Sequence, residues 1–426
     1  MKYVWLFILM SLYTVHGQTS STNQNQSDAI TSNDSIKNAD FRKQLGNGYF
    51  PTKYFNFDLR YLIKYNQFEG VRTGIGGVTS ETFSESFRIQ GYSVYGFLDH
   101  TFKYSIGGGF RLAKRSNTWV NFIYTSDLEE TGGSVFLTDS RFFQLFEPRL
   151  INISLFHRHI SKTIGIEHQL NSTLLTETQF SLRKIDPTYN YTYNLNGDSF
   201  SQYDLSLLTL SLQWDPFSSY VYEDDEIKEK RTGYPRFSIQ YTKSFKGLLG
   251  SDFSFSKFDF RAVQQFNHKS SALTEVVFTS GLASGDIPIS HAYHAYPNNV
   301  NKETIMNRFS VAGINSFETM YFNEFFSNQF MTLILRHKLK PFKISPKFKP
   351  QLVLLTKLAY GDMKHSTRHQ GLTFSKLNKG FSESGIELNK LLFGFGLSFA
   401  YRYGAYHLPK FEDNIAFKFT FNLTLD

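Results

Sequence analysis

The chain has 426 residues, no cysteine and a formal net charge of +8, and 17% of it is aromatic, with 45 Phe and 25 Tyr against 3 Trp. The missing cysteine removes disulfides, thiolate metal sites and cysteine nucleophiles together. Mean hydropathy is −0.32 and no long apolar run follows the N-terminal segment, so helical spans are excluded; a barrel that turns only alternate residues to lipid is not.

Residues 1–17 read as a signal peptide: Lys2 is the positive end, residues 3–15 are apolar but short for a bilayer, and Val15-His16-Gly17 ends in a small residue. Cleavage there leaves Gln18 first, with no cysteine after it to carry a lipid. Residues 18–45 form a polar flexible lead. Its first part, 18–40, is rich in Ser, Thr, Asn and Gln and holds no aromatic residue, too little apolar surface to offset the entropy of ordering. Residues 46–426 read as one barrel, because no linker interrupts the rhythm of strand and turn.

Strands declare themselves by alternation. In residues 55–66, Phe55, Phe57, Leu59, Tyr61, Ile63 and Tyr65 share a face opposite Asn56, Asp58, Arg60, Lys64 and Asn66, with Leu62 out of step. Phe102, Tyr104, Ile106, Phe110 and Leu112 oppose Lys103, Ser105 and Arg111. Further stripes are Leu208 to Trp214, then Phe237, Ile239 and Tyr241, and a long one at positions 391–403 opposite Gly394, Gly396, Ser398, Ala400 and Arg402. From Ile415 to the end, Phe417, Phe419, Phe421, Leu423 and Leu425 oppose Ala416, Lys418, Thr420, Asn422 and Thr424. Gly107-Gly108-Gly109 reads as a place inside a strand where bulk is avoided.

So much aromatic surface on one face suits lipid, with Phe in the hydrocarbon band and Tyr at its borders; in water it would aggregate. An open sheet in lipid leaves edge groups unpaired, so the fold expected is all-β, an antiparallel transmembrane β-barrel of about 14–16 strands. Long polar loops belong on one side, from residues 126–148, 185–204, 216–235 and 287–314, the third with a solvated charge run at 223–231. The location implied is the outer membrane. Expected partners are outer-membrane lipid or lipopolysaccharide and, during biogenesis, the barrel-assembly machinery; the basic balance is assigned to lipid phosphates and loops, with no nucleic-acid partner.

Several blocks resemble an uncharacterised family of Bacteroidetes outer-membrane proteins, whose longer members join a carboxypeptidase-regulatory-like domain to a C-terminal barrel. The blocks are Tyr65-Asn66-Gln67-Phe68-Glu69-Gly70-Val71-Arg72, Gly91 to Asp99, Tyr234-Pro235, Lys246 to Phe253, Gly285-Asp286-Ile287-Pro288, Phe317 to Phe325, Glu383 to Ile386, Tyr401 to Tyr406, and Asp413-Asn414. The regulatory-like domain has no counterpart among these residues. The first block and the Gly-Asp-x-Pro step are also similar to the barrel-assembly and surface-antigen superfamily. That superfamily inserts or secretes proteins through a 16-stranded barrel and carries an Arg-Gly-Phe-type lumen loop; this chain has no Arg-Gly step.

Candidate lumen-facing polar residues are Asp58, Arg60, Lys64, Lys103, Arg111, Arg402 and Lys418. His157 and His159 share a strand face, with His168 further on; His291 with His294 and His365 with His369 sit in polar stretches. All are read as rim or lumen histidines, with no metal and no cofactor expected. Ser290-His291 and His365-Ser366 are neighbours whose side chains diverge on a strand, so no dyad is expected from either. The glycine clusters lack a Gly-Lys-Ser/Thr step, and Glu318 and Glu324 are expected to form a salt bridge to a facing Arg, with binding of a cation by the acidic pair as the alternative. No catalytic residue is named. A non-enzymatic pore, transport or structural barrel is the leading expectation; an accessory factor for assembly or export and a membrane-embedded hydrolase are the alternatives, with solute or client unknown.

Overall fold

In the computed structural model the described residues are 41, 44–139, 148–223, 226–300, 310–345, 348–392 and 394–421. The expected signal peptide, almost all of the lead, and the final alternating positions 422–426 lie outside them. The chain divides into two units, Met1–Lys43 and Gln44–Asp426; the second is described here.

One 19-stranded sheet dominates it. Its staves are β1 (Phe55–Asp58 and Ile63–Asn66), β2 (Gly70–Thr79), β3 (Phe87–Gly96), β4 (Thr101–Ala113), β5 (Thr118–Glu130), β6 (Phe156–Asn171), β7 (Leu174–Pro187) and β8 (Tyr203–Trp214). They continue as β9 (Arg236–Ser244), β10 (Phe255–Asn267), β11 (Leu273–Gly285), β12 (Gln329–Lys338), β13 (Gln351–Asp362), β14 (Phe381–Leu392), β15 (Phe395–Tyr403) and β16 (Ile415–Phe421). Each stave pairs antiparallel with the next in chain order. Two short pieces attach at the edges: Tyr49–Pro51 on β1, and Ser310–Val311 parallel to β16. This is an all-β barrel sheet, at the upper end of the expected strand number.

Alternation sorts the two faces. On β4, Phe102, Ile106 and Leu112 are 64%, 63% and 69% exposed, while Lys103 between them is 4% exposed. On β16, Phe417 and Phe419 are exposed while Ala416, Lys418 and Thr420 are buried. The apolar stripes face outward and the polar residues inward, the reverse of a water-soluble sandwich. Gly107, Gly108 and Gly109 lie inside β4, paired on both sides, as their composition implied.

Three expectations need correction. The stripe at 55–66 is not one strand: the 3-10 turn Leu59–Tyr61 breaks it, capped by the Asp58 carboxylate accepting from the Arg60 amide. Leu62, the residue out of step, falls in that break. The stripe at 391–403 is a hairpin, because the chain reverses between β14 and β15 through Gly394, whose φ of 81° is left-handed. Antiparallel parity then sets the loops: 131–155, 188–202, 286–328 and 363–380 emerge at one end. Residues 215–235 emerge at the other, so this connection, which forms the hairpin Ser219–Glu223 with Glu226–Arg231, leaves the company of the long loops.

The described parts of the connection between β11 and β12, residues 286–300 and 310–328, are largely buried. Ile289, Ala292, Tyr293, Asn298, Phe317, Thr319 and Met320 are all at most 1% exposed. They fold against the inner face, as does the start of 131–155: Leu137 N donates to Gln240 on β9, and Tyr293 OH donates to Asp259 on β10.

Close strand approach depends on small residues. A Cβ on Gly74 would overlap the backbone of Ser93 and Val94 on β3, whereas one on Gly46 meets nothing within 4 Å. Gly74→Ala is expected to cost about 1–3 kcal/mol through forced separation of β2 and β3. Gly46→Ala should be neutral, and thermal midpoints in detergent compare the two.

Candidate functional site

The first polar corner grows from the β1–β2 turn. Asn66 accepts from the amides of Phe68 and Glu69 at 3.0 and 2.7 Å and donates to the Glu69 carboxylate at 2.6 Å, while Gly70 supplies a left-handed φ of 66°. The turn thereby presents Glu69 inward, where Lys103 meets it at 2.7 Å and Asp99 at 2.5 Å. Arg72 holds Asp127 through two bonds of 2.6 and 2.7 Å, and Tyr92 donates to the same carboxylate at 2.5 Å. The two N-terminal resemblance blocks are therefore one structure, a corner in which Arg72 and Lys103 hold three carboxylates. Asp58 and Arg60 pair locally at 2.8 Å. Lys64 is half-buried. Arg111 sits 3.6 Å from Glu81, with its guanidinium over the Trp119 ring at 5.5 Å.

The second corner joins the inserted connection to the last staves. Glu318 faces Lys418 of β16 at 3.1 Å and Lys357 of β13 at 3.9 Å, and Lys357 also meets Glu383 of β14 at 3.1 Å. Glu318 further accepts from Asn298 Nδ2 (2.8 Å), Ser316 Oγ (2.8 Å) and the Gly313 amide (3.1 Å). Glu383 accepts from the Glu318 amide (3.0 Å) and from the Thr319 amide (2.7 Å) and hydroxyl (2.6 Å). Lys418 also donates to the Asn298 carbonyl, and Ser310–Val311 adds backbone pairing to the same stave. Arg402 of β15 forks onto Glu324 at 2.6 and 3.0 Å and lies over the Phe381 ring. The facing arginine expected from the sequence is found for Glu324, whereas Glu318 meets two lysines instead, brought from β13 and β16 by the fold. Glu383 and Lys357 were missed as site residues, although Glu383 opens a resemblance block.

A third cluster contains the histidines. His157 and His159 share the inner face of β6, each 3.8 Å from the Glu129 carboxylate of β5, which Arg183 of β7 also grips. His168 lies elsewhere, against Thr118. Among the described residues no cluster has metal-ligand geometry. Ser290 and His291 correct the strand argument: they lie on the 3-10 turn Ile289–His291, which lets Ser290 Oγ meet His291 Nδ1 at 2.8 Å. Tyr203 OH shares that hydroxyl at 2.7 Å, and among the described residues no carboxylate hydrogen-bonds the imidazole. His294 instead pairs with Glu130 at 2.7 Å.

At the long-loop end, Thr192–Leu195, Asp198–Phe200 and His369–Gln370 make a small sheet. His369 is buried there with Nδ1 2.8 Å from the Tyr191 hydroxyl, while His365 holds a left-handed φ of 56°. Burial, with Arg368 beside it, pushes the His369 pKa down to about 4. The unfolded chain then binds this proton first as pH falls below about 6.5, so its contribution to stability is full above that value and lost towards pH 4. His369→Gln should flatten the fall in thermal midpoint over that window.

Removing one member of the Glu318–Lys418 pair leaves its partner buried and uncompensated. Lys418→Met and Glu318→Gln are each expected to cost about 3–5 kcal/mol, and the double variant less than their sum. Thermal midpoints in detergent across the cycle read the coupling.

No curated protein matches the chain. Among solved structures, the fold is similar to BamA from Haemophilus ducreyi lacking POTRA domains 1–3, with TM-score 0.51 and 9% identity over 84% of this chain and 68% of that one. CdiB from Escherichia coli gives 0.45 at 9% identity over 84% of this chain and 60% of that one. CdiB from Acinetobacter baumannii gives 0.42 at 11% over 83% and 57%, so this chain spans less than two thirds of either CdiB. The first likeness establishes a shared barrel fold. Residues 41–345 match the model described as the family of unknown function (DUF5686) C-terminal domain, and the chain belongs to that family.

Proposed function

We propose that this protein is an integral outer-membrane barrel with a non-enzymatic role in the envelope, its inner space occupied by its own connection. The observation that carries the reading is the division of faces: exposed Phe, Ile and Leu outward, and buried ion pairs inward that bind residues 286–328 to β13, β14, β15 and β16. Lipid is the only solvent that accommodates such an outer surface without aggregation. Cavities of about 250 to 540 Å³ remain among the described residues; in this reading the resting molecule is a closed barrel, and solute passage requires the connection to move. The signal peptide of residues 1–17 and the lead of residues 18–45 belong to the same proposal, as do lipopolysaccharide and the barrel-assembly machinery as partners.

Three measurements test it. The unheated purified protein should migrate differently from the boiled protein, and Phe122→Arg, at a half-exposed outward position of β5, should cost about 2–4 kcal/mol of stability in bilayers. In planar bilayers the folded protein should show no steady large conductance; stable open pores would overturn the plugged state.

An accessory role in assembly or export is a second reading. It draws on the sixteen staves and on the lumen connection between β11 and β12, the architecture of the superfamily that the sequence resembles. The polarity is reversed from that superfamily's Arg-Gly-Phe loop: here the loop offers the acid Glu318 and the wall offers lysines. Gene deletion leaving the outer-membrane proteome and surface lipoproteins unchanged would remove this reading. The Ser290–His291 contact is the one feature that favours a hydrolase; unreactive serine-directed probes on the folded protein dispose of it.

A further inference from the structure

A cavity of about 540 Å³ lies between the inner faces of β6 to β10 and the two inserted connections, and the mechanism of plugging makes no use of it. Among the charged side chains lining it, Arg60 is held by Asp58, and Asp139 by Arg261. Glu129 is gripped by Arg183. Lys257 of β10 has no such match. It is 7% exposed, its ammonium lies over the Tyr293 ring at 4.4 Å, and among the described residues no carboxylate stands within ion-pair distance. Asp259, two residues along the same face, has its Oδ1 engaged by Tyr293 OH at 2.7 Å and by Ser134 Oγ at 3.5 Å.

Two further groups at the cavity lack hydrogen-bond partners. His157 is 1% exposed; its Nδ1 meets Thr131 Oγ1 at 3.2 Å, and its Nε2 makes no hydrogen bond but stands 3.8 Å from the Glu129 carboxylate. Arg183 leaves its Nε unpartnered while its terminal nitrogen holds Glu129. The Lys257 ammonium and the Arg183 guanidinium group therefore border one space beside the His157 imidazole, and a buried cation without a partner is costly. Their complement is an acceptor that carries negative charge. Gln179, Ser181, Thr209 and Thr242 supply uncharged polar groups around them, the lining a polyhydroxylated body requires. The volume lies within the range of small-molecule sites.

We propose that this cavity is a binding site for a small hydroxylated oxyanion of the sugar-phosphate class, with Lys257 and Arg183 holding the anionic group. The site goes beyond the closed-barrel reading. Calorimetric titration of the full-length protein in detergent, with glucose 6-phosphate, inorganic phosphate and glucose as probes, tests it. Glucose 6-phosphate should bind, inorganic phosphate more weakly and glucose not detectably. Lys257→Gln should weaken the ester at least tenfold, whereas Lys246→Gln, an exposed lysine in the β9–β10 connection, should leave it unchanged. Absence of anion binding, or glucose binding as tightly as its phosphate ester, overturns the proposal on the wild-type protein alone, whether or not the variant folds. An unaltered affinity in folded Lys257→Gln overturns it as well. A folded, heat-sensitive band in the same preparation separates failure of the site from failure of the barrel reading.

Discussion

Everything inside this molecule depends on charge neutrality in a space with little water. Glu318, Glu383, Lys357 and Lys418 are each at most 2% exposed, and none could stay ionised there alone. Their mutual pairing makes the connection 286–328 and the staves β13, β14 and β16 a single electrostatic unit. The hydrogen bonds from Asn298, Ser316 and Thr319 to the two carboxylates then fix the connection's backbone relative to the wall.

The same constraint acts at the other corner, with different means. There the charges come from the wall and its tight turns, not from an inserted segment: Glu69, Asp99 and Asp127 against Arg72 and Lys103. Asn66 and Gly70 exist in that turn to aim Glu69 inward. The two corners thus hold their charges by different means, one through turn geometry and one through a long connection. Lys257 stands apart from both, a buried cation with no carboxylate within ion-pair distance among the described residues.

Resemblance blocks that look scattered along the chain converge in space. Glu383, Arg402, Glu318 and Glu324 lie in three separate blocks, yet they build the second corner together. Asp286 pairs with Arg368 at 3.2 Å, and Asn414 is fully buried, bonding the backbone of Leu408 and Lys410. These positions hold connections in place, which is a reason for their residue types that strand periodicity does not supply.

Strand alternation by itself determined the all-β class, the exposed Phe and Tyr stripes, and the burial of Lys103, Arg402 and Lys418, because a period of two is a local property of the backbone. It erred where local pattern continues across a change of direction, as at Leu59–Tyr61 and at Gly394. Only the tertiary structure decided that residues 286–300 and 310–328 pack against the wall, that Lys357 serves two acids from different elements, and that Ser290 meets His291 on a turn. Those facts depend on contacts between residues far apart in the chain, and pairing across an enclosed space leaves no periodic trace in the sequence.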